Sequence, residues 1–128
     1  MILDTNTLIR LEREVRRAES GPVVRFLESL ENERLCITAT IAGELACGLS
    51  LAKRDDWYRF IEPYEILATD ASTSWHYGEV YRALAKEGRL IGTNDLWIAA
   101  TALAHGLRLA TGNVDEFSRV KGLEVVGV

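Results

Sequence analysis

The 128-residue chain has few of the residue types on which several classes of protein depend: two cysteines, two histidines and two prolines. Cys36 and Cys47 have no metal-type spacing and no histidine cluster beside them, so we predict that both are buried thiols without a function. Neither His76 nor His105 is paired in sequence with a convincing serine or cysteine nucleophile. Any chemistry of this chain must therefore come from other side chains.

Long hydrophobic runs and an excess of positive charge are also missing. No apolar stretch is continuous enough to span a bilayer, and Met1–Leu3 leads into Asp4 without a basic region or cleavage site. We therefore expect a cytoplasmic protein with no membrane partner. The formal net charge of −4 disfavours nucleic-acid binding by bulk electrostatics, because such domains usually carry a basic excess. It does not disfavour an enzyme whose acidic residues are neutralised by metal ions.

The chain alternates short apolar runs with amphipathic segments, which is the pattern of a parallel sheet covered by helices. Its length fits one domain, residues 1–128. We predict an α/β fold with a central short parallel sheet of four to five strands and helices on both faces. The predicted strands are residues 2–4, 35–38, 65–68, 107–111 and 123–126.

Three details of the helices can be predicted from residue type and spacing. Residues 5–7 supply capping side chains for the first helix, and the charged stretch 10–19 predicts a solvated face. Ser20 to Pro22 ends that helix and starts another. The predicted helix over 70–86 places four residues inward: Trp75, Val80, Tyr81 and Leu84.

Three apolar segments each contain a single acidic residue and no other charge. Asp4 lies in residues 1–9, Glu44 in residues 35–52 and Asp95 in residues 90–107. Burial and mutual repulsion make lone carboxylates costly unless they are protonated, separately hydrogen-bonded or gathered around a cation. For Asp95 a helix-start role also remains open, since Thr93 and Asn94 are good N-cap residues.

The topology makes the third of these outcomes plausible, because ligands of parallel sheets collect at the carboxyl ends of the strands. Asp4 ends the first predicted strand, Glu44 lies in the helix after the second, and residues 111–115 follow the fourth. Oxygen ligands of this kind suit Mg²⁺ or Mn²⁺. Such ions can activate water for in-line attack on a phosphodiester, which requires no histidine.

Four motifs occur in the order and spacing of a known family: Leu3-Asp4-Thr5-Asn6, the Ile41–Leu49 helix with Glu44, Ile91-Gly92-Thr93-Asn94-Asp95 with Ile98-Ala99-Ala100, and Thr111-Gly112-Asn113 with Phe117. Together they cover essentially the whole chain, which resembles the PIN-domain ribonucleases and, among them, the VapC toxins of toxin–antitoxin pairs. The resemblance implies a metal-dependent endoribonuclease, the toxin of a type II pair, with Mg²⁺ or Mn²⁺ as cofactor. Its metal ligands would be Asp4, Glu44 and Asp95.

The resemblance implies a fourth acidic position that this sequence leaves open. Asn113 stands at one place where an acid can occur, and Asp115 and Glu116 follow closely. We predict that Asp115 contributes catalytically through a water, with Asn113 beside it. Thr5 and Asn6 would support the cluster by hydrogen bonds, cap the first helix, or both.

The resemblance also implies partners: an RNA substrate, a VapB-type antitoxin and a second copy of the chain in a homodimer. We predict that the antitoxin covers apolar surface on the first helix and near Leu49–Leu51 and residues 57–61, because exposed apolar patches mark interaction sites. Its C-terminal segment would bind there as a helix and place an Arg or Lys over the acidic cluster. The sequence does not locate the homodimer interface.

Two other functions compete with this prediction. Asp4-Thr5 at a strand end would suit an aspartyl-phosphate phosphatase, but such enzymes generally carry a second Asp two residues later, where this chain has Asn6. The second is a catalytically weak PIN-like interaction module that acts by partner binding. Asn113 in an acidic position favours that module, and the three lone acids disfavour it.

Overall fold

The computed structural model describes all 128 residues and contains one five-stranded sheet. The strands are β1 (Ile2–Leu3), β2 (Cys36–Thr38), β3 (Glu65–Leu67), β4 (Leu109–Thr111) and β5 (Val125–Gly127). Their order in the sheet is β3-β2-β1-β4-β5, and every neighbouring pair is parallel. The α/β prediction with a short parallel sheet is thereby confirmed, at the upper end of the predicted strand number.

Seven α-helices and one short 3₁₀ helix connect the strands. The α-helices are α1 (Thr5–Arg16), α2 (Pro22–Glu28), α3 (Ala39–Ala46), α4 (Arg54–Ile61), α5 (Ala71–Lys86), α6 (Thr93–His105) and α7 (Val114–Phe117), and the 3₁₀ helix is Leu49–Leu51. None of the helices combines the length and apolar composition that a membrane-spanning helix requires.

Helix capping shortens one predicted strand. The strand predicted over 107–111 begins at Leu109, because Leu107 is still occupied by the end of α6. Its N–H donates to the carbonyl of Ala102 at 2.9 Å, and Gly106 adopts a left-handed conformation with φ 63°. A helix that ends in this way uses the residues after it to satisfy its last carbonyls.

The three interior strands, β2, β1 and β4, are buried on both faces, as expected for a parallel sheet between helical layers. Ile2, Leu3, Leu109 and Ala110 have no solvent exposure. Because these strands are only two or three residues long, the residues that follow them lie immediately at the carboxyl edge of the sheet.

Two of the four residues predicted to point inward from α5 do not. Val80 and Leu84 are buried, but Trp75 is 62% exposed and Tyr81 is 46% exposed. The helix packs through the face that also contains Thr73, and Trp75 and Tyr81 lie outside that face. Apolar residue type alone therefore overestimated the width of the buried stripe.

The prediction for the cysteines is half correct. Cys36 is fully buried within β2, whereas Cys47 is exposed. Cys47 follows the last residue of α3 as its C-cap, where the chain turns toward solvent. Cys47 is therefore exposed because of its position at the helix end, although its side chain is apolar.

The charged stretch 10–19 also contains one buried side chain. Glu14 is 9% exposed, and its carboxylate accepts hydrogen bonds from the backbone N–H groups of Val23 at 3.2 Å and Val24 at 2.9 Å. These donors belong to the first turn of α2, where no residue of the helix itself can satisfy them. The solvated-face prediction is therefore wrong at Glu14, which joins α1 to α2.

Candidate active site

Asp4 immediately follows β1 and is 4% exposed. One carboxylate oxygen, Oδ1, accepts a hydrogen bond from the backbone N–H of Thr7 at 2.8 Å, so Asp4 is the N-cap of α1. The other, Oδ2, accepts a hydrogen bond from the hydroxyl of Thr111 at the end of β4. Residues 5–7, which we predicted to supply the cap, instead form the first turn. Asp4 is thus held from both sides at the carboxyl edge of the sheet.

Glu44 reaches the same edge from α3, which begins directly after β2. The helix is capped by Thr38, whose hydroxyl accepts from the N–H of Ile41 at 3.1 Å. The Glu44 carboxylate accepts a hydrogen bond at Oε1 from the hydroxyl of Thr5 at 2.7 Å. Thr5 therefore contacts the acidic residues directly, which was one of the two roles expected for it.

Asp95 lies in the first turn of α6, as the sequence indicated. The N-cap is Gly92 rather than Thr93 or Asn94, and no side chain caps this helix. The helix start is formed by a backbone hydrogen bond from Leu96 N–H to the carbonyl of Gly92 at 2.9 Å. With no capping function to perform, the Asp95 carboxylate is available to the pocket beside it.

These three acids line one pocket of about 220 Å³ at the carboxyl edge of the sheet. The residues around it are Asp4, Thr5, Asn6, Ile9, Glu44, Asp95 and Ile98. No lysine, arginine or histidine is among them. Side chains 40 and more positions apart in sequence therefore share one anionic cavity.

The electrostatics of this pocket are most evident at Asp95. Its pKa is raised from the ordinary value of 3.8 to about 6, chiefly because burial disfavours the charged carboxylate. Repulsion from Glu116, Glu44 and Asp4 raises the pKa further. A bound cation would offset both effects, since it stabilises the ionised form.

The structure brings Glu116, rather than Asp115, next to the cluster. Asp115 is exposed, whereas Glu116 is partly buried and is the strongest of the charges that act on Asp95. Asn113 donates a hydrogen bond from its side-chain amide to Glu116 and thereby orients it. Adjacent residues of a helix point to different sides. The neighbouring positions of Asp115 and Glu116 in the sequence therefore could not show which of the two faces the cluster.

Thr111 is a site residue to which the sequence pattern assigned no role. Its hydroxyl donates to Asp4 and accepts from the backbone N–H of Asn113 at 2.9 Å. It therefore links the first acid to the loop that leads into α7, the helix that carries Glu116. A hydroxyl residue at the carboxyl end of a buried strand was the available signal, since strand ends form the site in such sheets.

The two candidates for the fourth acid can be separated by paired neutral substitutions. For the RNA cleavage that the resemblance implies, we expect Glu116→Gln to lower the rate about tenfold, because it removes a negative charge that would help to attract a divalent cation to the cluster. Asp115→Asn should change the rate less than about twofold, since screening weakens exposed charges. Initial rates on one RNA under identical conditions provide the comparison. A larger loss for Asp115→Asn would restore the original prediction.

The donor chemistry of the pocket is compatible with Mg²⁺ or Mn²⁺. Every polar side chain of the pocket has an oxygen that can bind a metal, and the amide nitrogen of Asn6 is its only other polar side-chain atom. Hard divalent cations prefer oxygen ligands. No three acidic, histidine or cysteine side chains lie close enough together to hold an ion as a group. Mg²⁺ needs no such group, because it usually keeps several waters and binds through one or two carboxylates. The uncompensated charge around Asp95 is the observation that favours a cation here.

This parallel α/β domain, with a carboxylate pocket at the ends of its strands, is matched by a family model described as the PIN domain over residues 1–123. The chain belongs to the PIN-domain family. Ribonuclease VapC1 of Rickettsia felis is 34% identical, across 100% of this chain and 96% of that protein. The tRNA(fMet)-specific endonuclease VapC of Shigella flexneri is 30% identical, across 95% of this chain and 92% of that protein.

The fold is also similar to that in a crystal structure of VapBC2 from Rickettsia felis bound to a DNA fragment from its promoter. The two chains share 28% sequence identity with a TM-score of 0.84, and the match covers 99% of this chain and 97% of the other. The family expected from the motifs is therefore confirmed over the whole sheet and its helices.

Proposed function

We propose that this chain is a metal-dependent endoribonuclease and the toxin of a toxin–antitoxin pair. The observation that carries the proposal is the single pocket lined by Asp4, Glu44 and Asp95, with no lysine, arginine or histidine among its lining residues. Relatives named as VapC ribonucleases support the reaction class. We also propose that the protein acts in the cytoplasm and forms a homodimer, which sedimentation analysis would test.

Asp4, Glu44 and Asp95 would supply the one or two carboxylates that bind the cation directly, and the remaining acid would contact it through bound water. Hydrogen bonds from Thr7 and Thr111 fix the carboxylate of Asp4, and a hydrogen bond from Thr5 fixes that of Glu44. The oxygens of both carboxylates are therefore held in place. Asp95 has no such partner and can adjust to an ion. When bound, Mg²⁺ or Mn²⁺ lowers the pKa of the attacking water and stabilises charge on the phosphate oxygens.

The purified chain should cleave single-stranded or loop RNA when Mg²⁺ or Mn²⁺ is present and stop when EDTA is added. Adding excess Mg²⁺ or Mn²⁺ back should restore cleavage, which separates metal removal from irreversible damage. Full activity in EDTA would contradict the metal mechanism. The substrate is RNA, and sequencing the cleaved ends after expression would identify which one; a relative named as specific for tRNA(fMet) makes tRNA the first class to inspect.

A groove suited to the antitoxin leads away from the acidic pocket. Ile9 and Glu44 line both the acidic pocket and a second pocket next to it. Glu12 and Leu51 line both this second pocket and a third one. The third pocket ends at Val15, which is 62% exposed. The surface between α1, the 3₁₀ helix and α4 combines apolar side chains such as Leu51 and Val15 with charged ones such as Glu12, Arg16, Asp56 and Arg59. It therefore supports the proposed binding of an amphipathic antitoxin helix.

The toxin proposal predicts growth arrest when the chain is expressed alone and rescue when a neighbouring antitoxin gene is co-expressed. Val15→Asp should abolish the rescue while leaving cleavage by the purified chain unchanged, because a charge in the groove opposes apolar docking. Colony counts and co-purification provide the two measurements. Absence of arrest, or arrest that persists with a bound partner, would instead favour the interaction module, the alternative that Asn113 favours.

The raised pKa of Asp95 predicts how stability depends on pH in EDTA. The folded chain holds this proton more tightly than the unfolded chain does, so stability from this group rises as pH falls through about 6 toward the ordinary value of 3.8. Metal should reverse the trend by favouring the ionised carboxylate, and should raise Tm near neutral pH because it binds only the folded cluster.

Thermal melts of the wild type and of Asp95→Asn at about pH 5 and about pH 7.5 isolate this group from all others. The difference between the two chains should shrink at the lower pH, where the wild-type carboxyl is largely protonated. If Mg²⁺ and Mn²⁺ leave Tm unchanged at both pH values, the acids do not bind a common cation.

A further inference from the structure

Asn113 connects two of the acids around the candidate site. Its backbone N–H donates to the hydroxyl of Thr111 at 2.9 Å, and that hydroxyl donates in turn to the Asp4 carboxylate. The side-chain amide of Asn113 donates to the Glu116 carboxylate through its Nδ2 atom. An unbroken chain of hydrogen bonds therefore joins Asp4 at the end of β1 to Glu116 in α7.

Glu116 depends on Asn113 for its orientation. The Asn113 amide is the only group of the protein that donates a hydrogen bond to its carboxylate, and Glu116 takes part in none of the five ion pairs of the chain. The Asp95 carboxylate repels it, and a glutamate side chain has several rotatable bonds. Without the amide, repulsion and rotational freedom would both turn Glu116 away from the cluster.

The Asn113 side chain does not cap α7, which is the structural role that its position suggests. Asn113 is the N-cap residue of this helix, yet its side chain accepts no hydrogen bond from the first turn. In a capping box, the third residue of the helix accepts a hydrogen bond from the backbone N–H of the N-cap residue. Here Glu116 is that third residue, but the backbone N–H of Asn113 donates to Thr111 instead. The bond between the two side chains is therefore not part of a helix cap.

The contact also requires an amide rather than an acid at position 113. An ionised carboxylate only accepts hydrogen bonds, so the group opposite Glu116 must be a donor. An aspartate there would have no donor and would add a second negative charge beside Glu116. This matters because the family resemblance places position 113 where an acid can stand, which would make Asn113 a lost acid.

We propose that Asn113 is a positioning residue of the cleavage reaction, whose amide holds the Glu116 carboxylate beside the acidic cluster. Held there, Glu116 adds a fixed negative charge that helps to attract a hydrated divalent cation. The proposal rests on the metal-dependent endoribonuclease function proposed above and assigns to that site a residue that acts through Glu116. The chain has then not lost an acid at position 113 but uses an amide there.

The test is a double-mutant cycle on the full chain with Asn113→Ala, Glu116→Gln and the double variant. Two quantities are measured for each chain: the maximal single-turnover rate on a labelled single-stranded RNA with Mn²⁺, and the Mn²⁺ dissociation constant from electron paramagnetic resonance of the free ion without RNA. A residue that acts only through Glu116 has no effect once Glu116 is neutral. Tm is recorded for all chains to detect loss of structure.

We expect Asn113→Ala to lower the maximal rate about fivefold, less than the loss expected for Glu116→Gln, because Glu116 keeps its charge but not its orientation. The double variant should lose about tenfold, as Glu116→Gln does alone, whereas independent effects would multiply to about fiftyfold. The Mn²⁺ dissociation constant should follow the same pattern with changes of about threefold. Tm should fall by no more than about 4 °C, the effect of losing one hydrogen bond.

Asn113→Asp distinguishes positioning from the loss of an acid, because the two explanations predict opposite signs. Asparagine and aspartate have the same shape and are equally good N-cap residues, so the fold should be kept. We expect the rate to fall about fivefold, since aspartate repels Glu116, whereas a restored acid would raise it. The matched control is Asn32→Asp, which adds the same charge in an exposed turn outside the acidic pocket and should change the rate less than about twofold.

A rate for Asn113→Asp at or above that of the wild type would overturn the proposal, as would multiplicative losses in the cycle. If Asn113→Ala fails to fold, Asn113→Asp decides, because it preserves the shape of the side chain. The heteronuclear NMR signal of the Asn113 side-chain amide gives a reading that needs neither metal nor RNA. In EDTA it should shift in Glu116→Gln and stay unchanged in Asp115→Asn. No shift in Glu116→Gln, or an equal shift in both variants, would also contradict the proposed contact.

The wild type tests the underlying function separately. If it binds Mn²⁺ without cleaving RNA, the nuclease proposal fails. The Mn²⁺ dissociation constants and the amide signal then still decide whether Asn113 holds Glu116 at the cation site.

Discussion

Replacing Asp95 with asparagine is expected to lower the rate of RNA cleavage more than about a hundredfold, because the change removes a charged ligand from the proposed metal site. The loss should appear in the maximal rate at saturating RNA. Added Mn²⁺ should recover part of it if the variant binds the ion more weakly. Asp95 is the preferred position because its side chain makes no hydrogen bond that supports the fold, whereas Asp4 caps α1.

A matched control for this change exists on another helix. Asp55 also lies in the first turn of a helix, α4, but is exposed and does not line the acidic pocket. Asp55→Asn removes the same charge from the same kind of helix position and should change the rate less than about twofold, since it loses only a helix-dipole contact. If both variants lose activity equally, Asp95 acts through the stability of its helix. Far-ultraviolet circular dichroism and Tm would detect that case.

Gly21→Ala is expected to destabilise the chain by about 1–3 kcal/mol, a cost typical of overpacking a filled site. A Cβ on Gly21 would come within 2.3 Å of the Glu14 carboxyl carbon. Glu14 cannot move away freely, because its two oxygens satisfy the N–H groups of Val23 and Val24. The substitution therefore either strains the turn or breaks the bonds that join α1 to α2.

Urea unfolding with a double-mutant cycle checks this explanation. Glu14→Ala alone should cost about 1.5–3 kcal/mol, as expected for hydrogen bonds to a charged group. In that background Gly21→Ala should cost less than about 0.5 kcal/mol, since the atom it would strike is gone. Additive effects would show that the clash with Glu14 is not the cause.

Gly43 is the matched control for this cycle because it lies within α3 with open space where a Cβ would be. Gly43→Ala should stabilise the chain by about 0.5–1 kcal/mol, because alanine loses less backbone entropy in a helix. The two Gly→Ala changes are thus expected to have opposite signs. The same sign for both would mean that packing around Gly21 does not decide the outcome.

The main features of the fold could be predicted because they follow from local pattern. Alternation of short apolar runs with amphipathic segments indicated the parallel sheet. The helix that begins next to Asp95 followed from the helical spacing of its apolar residues and from the N-cap residue types before them. Element ends were less accurate, since Leu107 belongs to the closing turn of α6 through its bond to Ala102. The burial predicted for Trp75 and Tyr81 was wrong, because packing against the neighbouring helix covers only part of a broad apolar face.

The candidate site, like the fold, could be predicted from the sequence only in part. The isolation of each carboxylate in an apolar segment singled out Asp4, Glu44 and Asp95, and parallel topology indicated where they would meet. Which of two adjacent acids faces the cluster depends on the rotation of α7, and no pattern of four residues contains that information. The support that Thr111 gives to Asp4 spans 107 positions in sequence, so only the folded chain reveals it.

The sequence by itself determined the class of fold and the family and singled out three acids, because periodicity, residue type and motif order are properties of the chain. Only the tertiary structure decided that Glu116 rather than Asp115 acts on Asp95 and that Glu14 is buried. These outcomes depend on the pairing of distant segments at one sheet edge. Burial and proximity in space set the pKa values and contacts there, and neither is encoded at a single position.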